Sequence, residues 1–596
     1  MTSFEISGGP FTATAIEALG GGGSRLANWP VVYVLNDDKS VYVGETLNAA
    51  KRMRQHRDPK SRNRTMRQYR IVLDERFNKS ACLDLESQLI RYFSGDGERQ
   101  VRNRNDGVTD ADYFERESYQ QTFDDVFEQL REEGLFKKTR HEIENSDMFK
   151  LSPFKALEPG QRAAVESILE ALFEELPAND GGQHATVAVH STTSVVQGAA
   201  GTGKTIVAIY LIKLLCDIGA ADDIDAFEAD SVFSDFFMRG YREKARGLKI
   251  GFVVPQQSLR ETVKRVFRRT PGLHASMVLT PWDLEKHEEE FDLLAVDEAH
   301  RLNRRASQAH PTLTTRFGAV NTALFGRDDY ELTQVDWVKR KSKHQIFFVD
   351  NGQTVRPADV TQETQRALIA EAKNEHRYHQ LMTQMRVKAG TDYVSYVRDL
   401  VSGKRPAPVD MGEYDFRFFD SVTEMRNAIA GREAEVGLSR MLAGYGYKWV
   451  SRHHPEQHDI VIGDDFAMSW NRTAKDWINS PTSADEVGSI HTVQGYDLNY
   501  AGVIIGPELT WDAEAQRIVV DRAKYFDTKG KQSSPKFGII TTDEDLIELV
   551  VNIYVVLMTR GMRGTYFWVH DPALRAVLGG PPLRHGSPRD EGEYAH

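Results

Sequence analysis

Cysteine is nearly absent. Cys82 and Cys216 stand far apart in 596 residues. That excludes a disulfide framework and a paired-cysteine zinc ribbon, and it fits a reducing compartment. Long apolar runs are absent too. The longest, IELVVNIYVVLM, is too short and too interrupted to span a bilayer. The opening MTSFEIS has neither the basic start nor the apolar core of a secretory leader. These absences point to a soluble, cytoplasmic chain without a membrane partner. A global positive charge is missing as well: the formal net charge is −12. A polyanionic partner would need a local basic patch rather than the field of the whole chain. No repeat of solenoid period runs through the sequence.

What is present is a globular composition, 40% hydrophobic and 27% charged, in a chain too long for one core. A length prior gives roughly three or four domains. Residues 1–28, with the glycine run Gly20 to Gly23, read as a lead-in. Residues 29–107 form a compact unit that opens with a hairpin. Residues 108–150 carry Phe and Leu at helical spacing and read as a helical connector. From residue 151 short apolar runs alternate with amphipathic helices: TSVVQG, LKIGFVVP, FDLLAVDE, HQIFFVD, then HDIVIG, AGVIIGPEL, FGIITT and YFWVHD. This predicts an α/β fold with parallel sheets and crossover helices, in lobes spanning 151–360 and 361–577. The Gly-, Pro- and charge-rich tail, 578–596, reads as disordered.

TSVVQGAAGTGKTIVAIYLIKLL carries the strongest local signal. A strand runs into Gly198, Ala199, Gly201, Thr202, Gly203, Lys204 and Thr205, then into a helix. Glycines let backbone N–H groups wrap phosphates, and the helix N-terminus adds partial positive charge. Lys204 reaches the β- and γ-phosphates of ATP, and Thr205 offers a hydroxyl to Mg2+. Further on, FDLLAVDEAHRL sets Asp297 and Glu298 at the end of a strand, where open α/β sheets bind ligands. Asp297 suits the Mg2+ shell and Glu298 the polarisation of the attacking water.

With these motifs in order, residues 152–571 resemble the superfamily 1 helicases, and most closely the Schlafen group 3-like DNA/RNA helicase domain. The resemblance implies two RecA-like lobes. FKALEPGQRAAVESIL places Gln161 where such helicases read adenine. VVPQQSLRETV falls where the family contacts the tracked strand. FFVDNGQTVRP offers Gln353 as γ-phosphate sensor, and LMTQMR offers Arg386. VGSIHTVQGYDLNYAGVIIG, with His491, Thr492, Gln494 and Gly495, matches motif V. YVVLMTRGMRGTYFWV, with Thr559, Arg560 and Arg563, matches motif VI. Arginines of the second lobe, Arg386 and Arg560 foremost, are expected to reach the γ-phosphate. The modest insertions leave no room for large accessory domains.

In VVYVLNDDKSVYVGETLNAAKRMRQH two short strands flank a turn-rich loop, and Asn48, Arg52 and His56 recur at four-residue intervals on a helix. A guanidinium at Arg52 can fork onto a phosphate. Glu86, in CLDLESQLIRYF, can hold one Mg2+, and a tyrosine near it can act as base. Residues 29–107 resemble the GIY-YIG endonucleases, with VVY and YVG for the two signature triplets; the first lacks its glycine. The resemblance makes Tyr33 the base, Tyr42 the supporting phenol, Arg52 the phosphate contact and Glu86 the metal ligand. His56 assists, and Asn103 and Asn105 complete the pattern. Within KRMRQHRDPKSRNRTMRQYR nine Lys or Arg stand against one acid, Asp58. This is the local patch a nucleic acid requires.

The expectation is an ATP-dependent, Mg2+-dependent nucleic-acid translocase fused to an endonuclease, acting on DNA rather than RNA, in phage defence or DNA repair. The alternative is a switch in which ATP binding gates the nuclease without strand movement. A homo-oligomer or a defence-system partner is left open.

Overall fold

The computed structural model describes residues 4–19, 25–103, 113–154, 157–177, 191–199, 201–221, 233–308, 310–350, 354–382, 393–407, 409–473, 476–493 and 495–579. The glycine run Gly20 to Gly23 and the tail from residue 580 lie outside them.

Three large sheets organise the chain. The first is built from alternating residues. In Val31–Asn36, Val32 and Val34 face one side while Val31, Tyr33 and Leu35 face the other, following the two-residue period of a strand. Both faces are apolar because both are covered. The helix Lys79–Asp96 packs Cys82, Leu85, Leu89 and Phe93 on one; Ala13–Leu19 and Ala49–His56 close the other with Ile16, Ala49 and Met53. Strand order is Phe4–Pro10, Gln68–Asp74, Val31–Asn36, Ser40–Thr46, Gln100–Val101. Neighbours are antiparallel except the last pair, which is parallel.

Two boundaries of this domain need correction. Phe4–Pro10 pairs with Gln68–Asp74 along its whole length, so residues 1–28 are not a bare lead-in. FEISGGP alternates apolar and polar for only four residues before Gly-Gly-Pro, which reads as loop. At a sheet edge both are tolerated, because the outer side needs no ladder partner. The connector also belongs here: Phe123, Val126, Phe127 and Leu130 of Gln120–Glu132 share one core with Leu85 and Phe93.

The second sheet is parallel throughout, in the order Tyr378–Leu381, Thr192–Gly198, Ser342–Val349, Phe291–Val296, Ile250–Val253, Val278–Leu279. The first lobe therefore runs past residue 360, since its edge strand ends at Leu381. Its central helix Lys204–Ala220 is apolar on most sides because it lies between the sheet and neighbouring helices. The third sheet runs Asp415–Phe418, Gly561–Val569, Leu498–Ile505, Ser439–Ala443, Glu486–Gly488, Phe466–Trp470, Ile460–Ile462. It is parallel except for the final antiparallel pair. FGIITT, expected as a strand, makes only the isolated bridge Ser534 to Ile539, where Gly538 at φ +70° turns the chain. Among the described residues no helix is long and apolar enough to cross a membrane.

Candidate functional site

The strand Thr192–Gly198 delivers the chain into a loop that needs glycine. Gly201 and Gly203 sit at φ +86° and +80°, in the left-handed region. A side chain on Gly198 would strike Thr202 Oγ1 and come within 3.2 Å of Leu381 Cβ. The helix starting at Lys204 aims its free N–H groups and dipole into this loop, beside Ala199. Lys204 is 6% exposed. It spends its three ammonium donors on Gly198 O at 2.7 Å, Ala199 O at 2.9 Å and Asp350 Oδ2 at 3.2 Å. Neutral carbonyls are weaker partners than phosphate oxygens, so the lysine is poised to exchange them.

Thr205 Oγ1 donates to Asp297 Oδ2 at 2.8 Å. A hydroxyl and a carboxylate thus meet as hard oxygen donors, the set that fits Mg2+ with water and phosphate in its other positions. Glu298 follows at φ +48°, a left-handed backbone that glutamate enters only under constraint. His300 is fully buried behind it. The Asp350 N–H donates to His300 Nδ1 at 3.3 Å, which leaves a neutral ring's proton on Nε2. Nε2 lies 2.9 Å from Glu298 Oε2, within ion-pair range although off the angle of a hydrogen bond. Burial alone would raise the Glu298 carboxyl. The His300 ring, Lys204 and Arg560 overcome it and hold the group well below the usual carboxylate range. Asp297 is pushed up by burial and by Glu298. No sequence motif marks Asp350 or His300 for this site; Asp350 reaches Lys204 and His300 only because Ser342–Val349 aligns beside Thr192–Gly198 and Phe291–Val296.

Arg560 is 1% exposed, with Nε donating to Val556 O at 3.0 Å and Nη1 to Tyr496 O at 3.4 Å. It follows the buried helix Asp543–Met558, and its charge is felt at Glu298. Arg563, expected beside it at the nucleotide, is exposed and acts on Tyr500 instead. The strand Gly561–Val569 has begun by then, and a register shift against Leu498 and Tyr500 places that residue in a bulge open to solvent. Gln161 does lie beside the phosphate loop. Its Nε2 donates to Thr202 O at 2.8 Å and its Oε1 accepts from the Glu158 N–H at 3.1 Å, so it fastens a helix start to the loop. His491 Nε2 accepts from Arg356 Nη2 at 2.6 Å, across the two lobes. Burial, then Arg356, press its pKa down to about 4. Thr492 Oγ1 donates to Ser489 O at 3.0 Å, and Thr559 Oγ1 to Val555 O at 2.8 Å. Gln353, Arg386 and Gln494 lie outside the described residues, as does Asn105.

The lobes also meet at one arginine. Gly495, at φ +86°, rests on Leu259 of the helix Gln257–Arg269: a Cβ there would sit 3.1 Å from Leu259 Cδ2. Tyr496 Oη lies 2.9 Å from Thr262 Oγ1. One turn on, Arg265 Nη2 donates to Asp147 Oδ2 of the connector at 2.6 Å, and Nη1 pairs with Asp476 Oδ2 of the second lobe. Asn479 Nδ2 bridges both carboxylates at 3.0 and 2.8 Å.

In the N-terminal domain five expected residues converge. Tyr33, 0% exposed, has Oη 2.8 Å from His56 Nε2 and accepts from Arg52 Nε at 3.3 Å. The Tyr42 ring stands edge-on to His56 with centroids 5.1 Å apart. Glu86, on the helix Lys79–Asp96, acts electrostatically on Tyr33. Burial, then Tyr42, raise the Tyr33 phenol; burial and Arg52 press the His56 pKa down to about 3. Gly44 carries no side chain because one would strike Tyr33 Oη. The valine that replaces the first signature glycine, Val31, packs on the covered face and leaves Tyr33 in place. Asn103 closes the edge of the second signature strand, bonding both the N–H and the carbonyl of Val43 at 3.0 and 2.8 Å. Asn48 stands apart from the cluster: it is the helix N-cap, accepting from the Lys51 N–H at 2.8 Å. No group of three or more His, Cys, Asp or Glu side chains gathers among the described residues. A metal here would rest on Glu86 with water and phosphate, which suits Mg2+. The patch is also thinner than its count. Arg67 pairs with Asp38 at 3.1 Å and Arg70 with Glu133 at 2.6 Å.

A family model of the Schlafen group 3, DNA/RNA helicase domain matches residues 191–571. An uncharacterized protein of Saccharomyces cerevisiae is 26% identical over 419 residues, covering 65% of this chain and 84% of its own. Among solved structures, the arterivirus nonstructural protein 10 helicase is 12% identical, with a TM-score of 0.25, over 65% of this chain. The match spans 62% of that helicase, less than two thirds of its length. A Bacteroides Pif1 bound to single-stranded DNA is 11% identical, with a TM-score of 0.25, over 69% of this chain and 92% of its own.

Proposed function

This chain belongs to the Schlafen group 3 DNA/RNA helicase domain family, and from that premise we propose that it is an ATP-driven nucleic-acid translocase carrying its own Mg2+-dependent endonuclease, with DNA as its polymer. The observation that carries the motor is one connected set: Lys204, Asp350, His300, Glu298, Asp297 and Thr205, with Arg560 of the other lobe in electrostatic reach. Bound ATP would bring the phosphoanhydride bond, and Mg2+ on Thr205 and Asp297 would neutralise phosphate charge. Lys204 exchanges two backbone carbonyls for phosphate oxygens. Glu298, ionised by its surroundings, orients the attacking water and takes its proton. Arg560 adds positive charge from the second lobe. ATP turnover should rise when single-stranded DNA is added; turnover indifferent to DNA and RNA alike contradicts the translocase reading.

The N-terminal cluster supports phosphodiester hydrolysis: two phenols, a guanidinium and an imidazole gather with a single carboxylate in electrostatic reach. The neighbouring patch supplies electrostatic attraction. Neutralising Arg62 and Arg64 together should flatten the log–log salt dependence of DNA binding by about two, at roughly one per phosphate contact. An unchanged slope means the patch does not meet the polymer. A motor joined to a nuclease suits defence against invading phage DNA, a step that rests on domain pairing alone.

The Arg265 junction favours a second reading, in which the lobes gate the nuclease. One guanidinium holds the connector and the second lobe to the first, so lobe movement must strain or release it. Under gating, ATP changes nicking by at least about fivefold, and Arg265→Met removes that difference while ATPase persists. Nicking by the parent that ignores ATP rules gating out.

A further inference from the structure

The basic segment after the helix Ala49–His56 contains a buried neutral residue that no motif claims, Asn63. It lies on the short turn Arg62–Thr65, which Ser61 caps by accepting the Asn63 N–H at 3.2 Å. Arg102 ties that turn to the sheet, donating to Arg62 O at 2.9 Å and Thr65 Oγ1 at 3.1 Å. Asn63 is 7% exposed and His56 4%. Asn63 Nδ2 sits 3.2 Å from His56 Nδ1.

An amide nitrogen can only donate. His56 Nδ1 must then accept, and in a neutral ring the proton is left on Nε2. Burial and the Arg52 charge both keep that ring neutral. Nε2 faces Tyr33 Oη at 2.8 Å, and Arg52 Nε approaches the same oxygen at 3.3 Å. The phenolic oxygen thus accepts two hydrogen bonds, and its own O–H must point elsewhere. We propose that Asn63 is a positioning residue of the nuclease site: it fixes the His56 tautomer, so that His56 serves Tyr33 as a donor and never as its base. The inference rests on the nuclease reading above and assigns the proton acceptor within it. Two donors stabilise a negative phenolic oxygen. Burial keeps the Tyr33 phenol protonated at rest, so Tyr33 takes a proton from the attacking water only as its own O–H proton passes to an oxygen of the bound phosphate, and the proton count closes within the cycle.

The test uses the full chain labelled with 15N-histidine, with His56 assigned by His56→Gln. In the parent, Nδ1 should appear as the unprotonated nitrogen and Nε2 as the protonated one. Asn63→Asp presents an acceptor in place of the donor, so Nδ1 should gain a proton. Nicking should then fall about tenfold, within the range for residues that orient a site group. Asn63→Gln keeps an amide donor and should retain the parent tautomer and most of the activity. A protonated Nδ1 in the parent, or an unprotonated one in Asn63→Asp, overturns the proposal, whatever the activity. So does full nicking by Asn63→Asp with its tautomer reversed. Glu86→Ala separates the two levels: if it cuts like the parent, the nuclease reading fails, while the histidine signals still report on Asn63.

Discussion

Lys204→Ala should show no DNA-stimulated ATP turnover, and Glu298→Gln should bind ATP like the parent but hydrolyse it at least about a hundredfold more slowly, as loss of a general base implies. The two substitutions act on different steps. Lys204 supplies ammonium donors that phosphate oxygens would take over from Gly198 O and Ala199 O. Its removal also takes the Lys204 ion pair from Asp350, which is 6% exposed. Removing one partner of a buried ion pair is destabilising, so thermal unfolding must accompany that assay. Glu298→Gln avoids the difficulty. It conserves shape beside His300 and removes only the negative charge that Lys204 and Arg560 stabilise. Nucleotide affinity is read by equilibrium binding and turnover by phosphate release. Equal loss of binding in both variants contradicts the separate roles of Lys204 and Glu298.

Arg52→Ala should abolish metal-dependent nicking while leaving DNA-stimulated ATPase intact. Arg52 is partly buried on the helix Ala49–His56, with Nε on Tyr33 Oη and Nη1 on Gln55 Oε1 at 3.2 Å. Its loss removes a donor from the phenolic oxygen and the cation best placed to meet a phosphate. Arg52→Lys should recover little, because an ammonium cannot hold a phenol and fork onto a phosphate together. Alanine suits a helix interior, so the fold should survive, as circular dichroism would report. Nicking that persists in Arg52→Ala places the phosphate contact elsewhere.

The parts legible in the sequence were those whose chemistry is local. The phosphate loop is one continuous stretch, and Asp297 and Glu298 end a single apolar strand, so strand, turn and helix signals sufficed. Tyr33, Tyr42, Arg52 and His56 fall within one hairpin and helix. What escaped depends on partners far apart in the chain. Arg265 meets carboxylates 118 and 211 residues away, and its own surroundings read as an ordinary amphipathic helix. Asp350 becomes the partner of Lys204 only because Ser342–Val349 pairs beside Thr192–Gly198. Phe4–Pro10 was missed because an edge strand needs little apolar pattern. Asn63 was hidden among charges that drew attention to the patch as a whole. Arg563 shows the opposite case: its motif is legible, but a register shift at the start of its strand decides where the side chain goes.

The central claim is that one chain houses two separable engines. Its most direct test measures plasmid nicking and ATP release side by side, in Mg2+ with single-stranded DNA present, for the parent, Glu86→Ala and Glu298→Gln. The account predicts that Glu86→Ala loses nicking and keeps ATP release, and that Glu298→Gln loses ATP release. A folded Glu86→Ala that nicks as fast as the parent would contradict it.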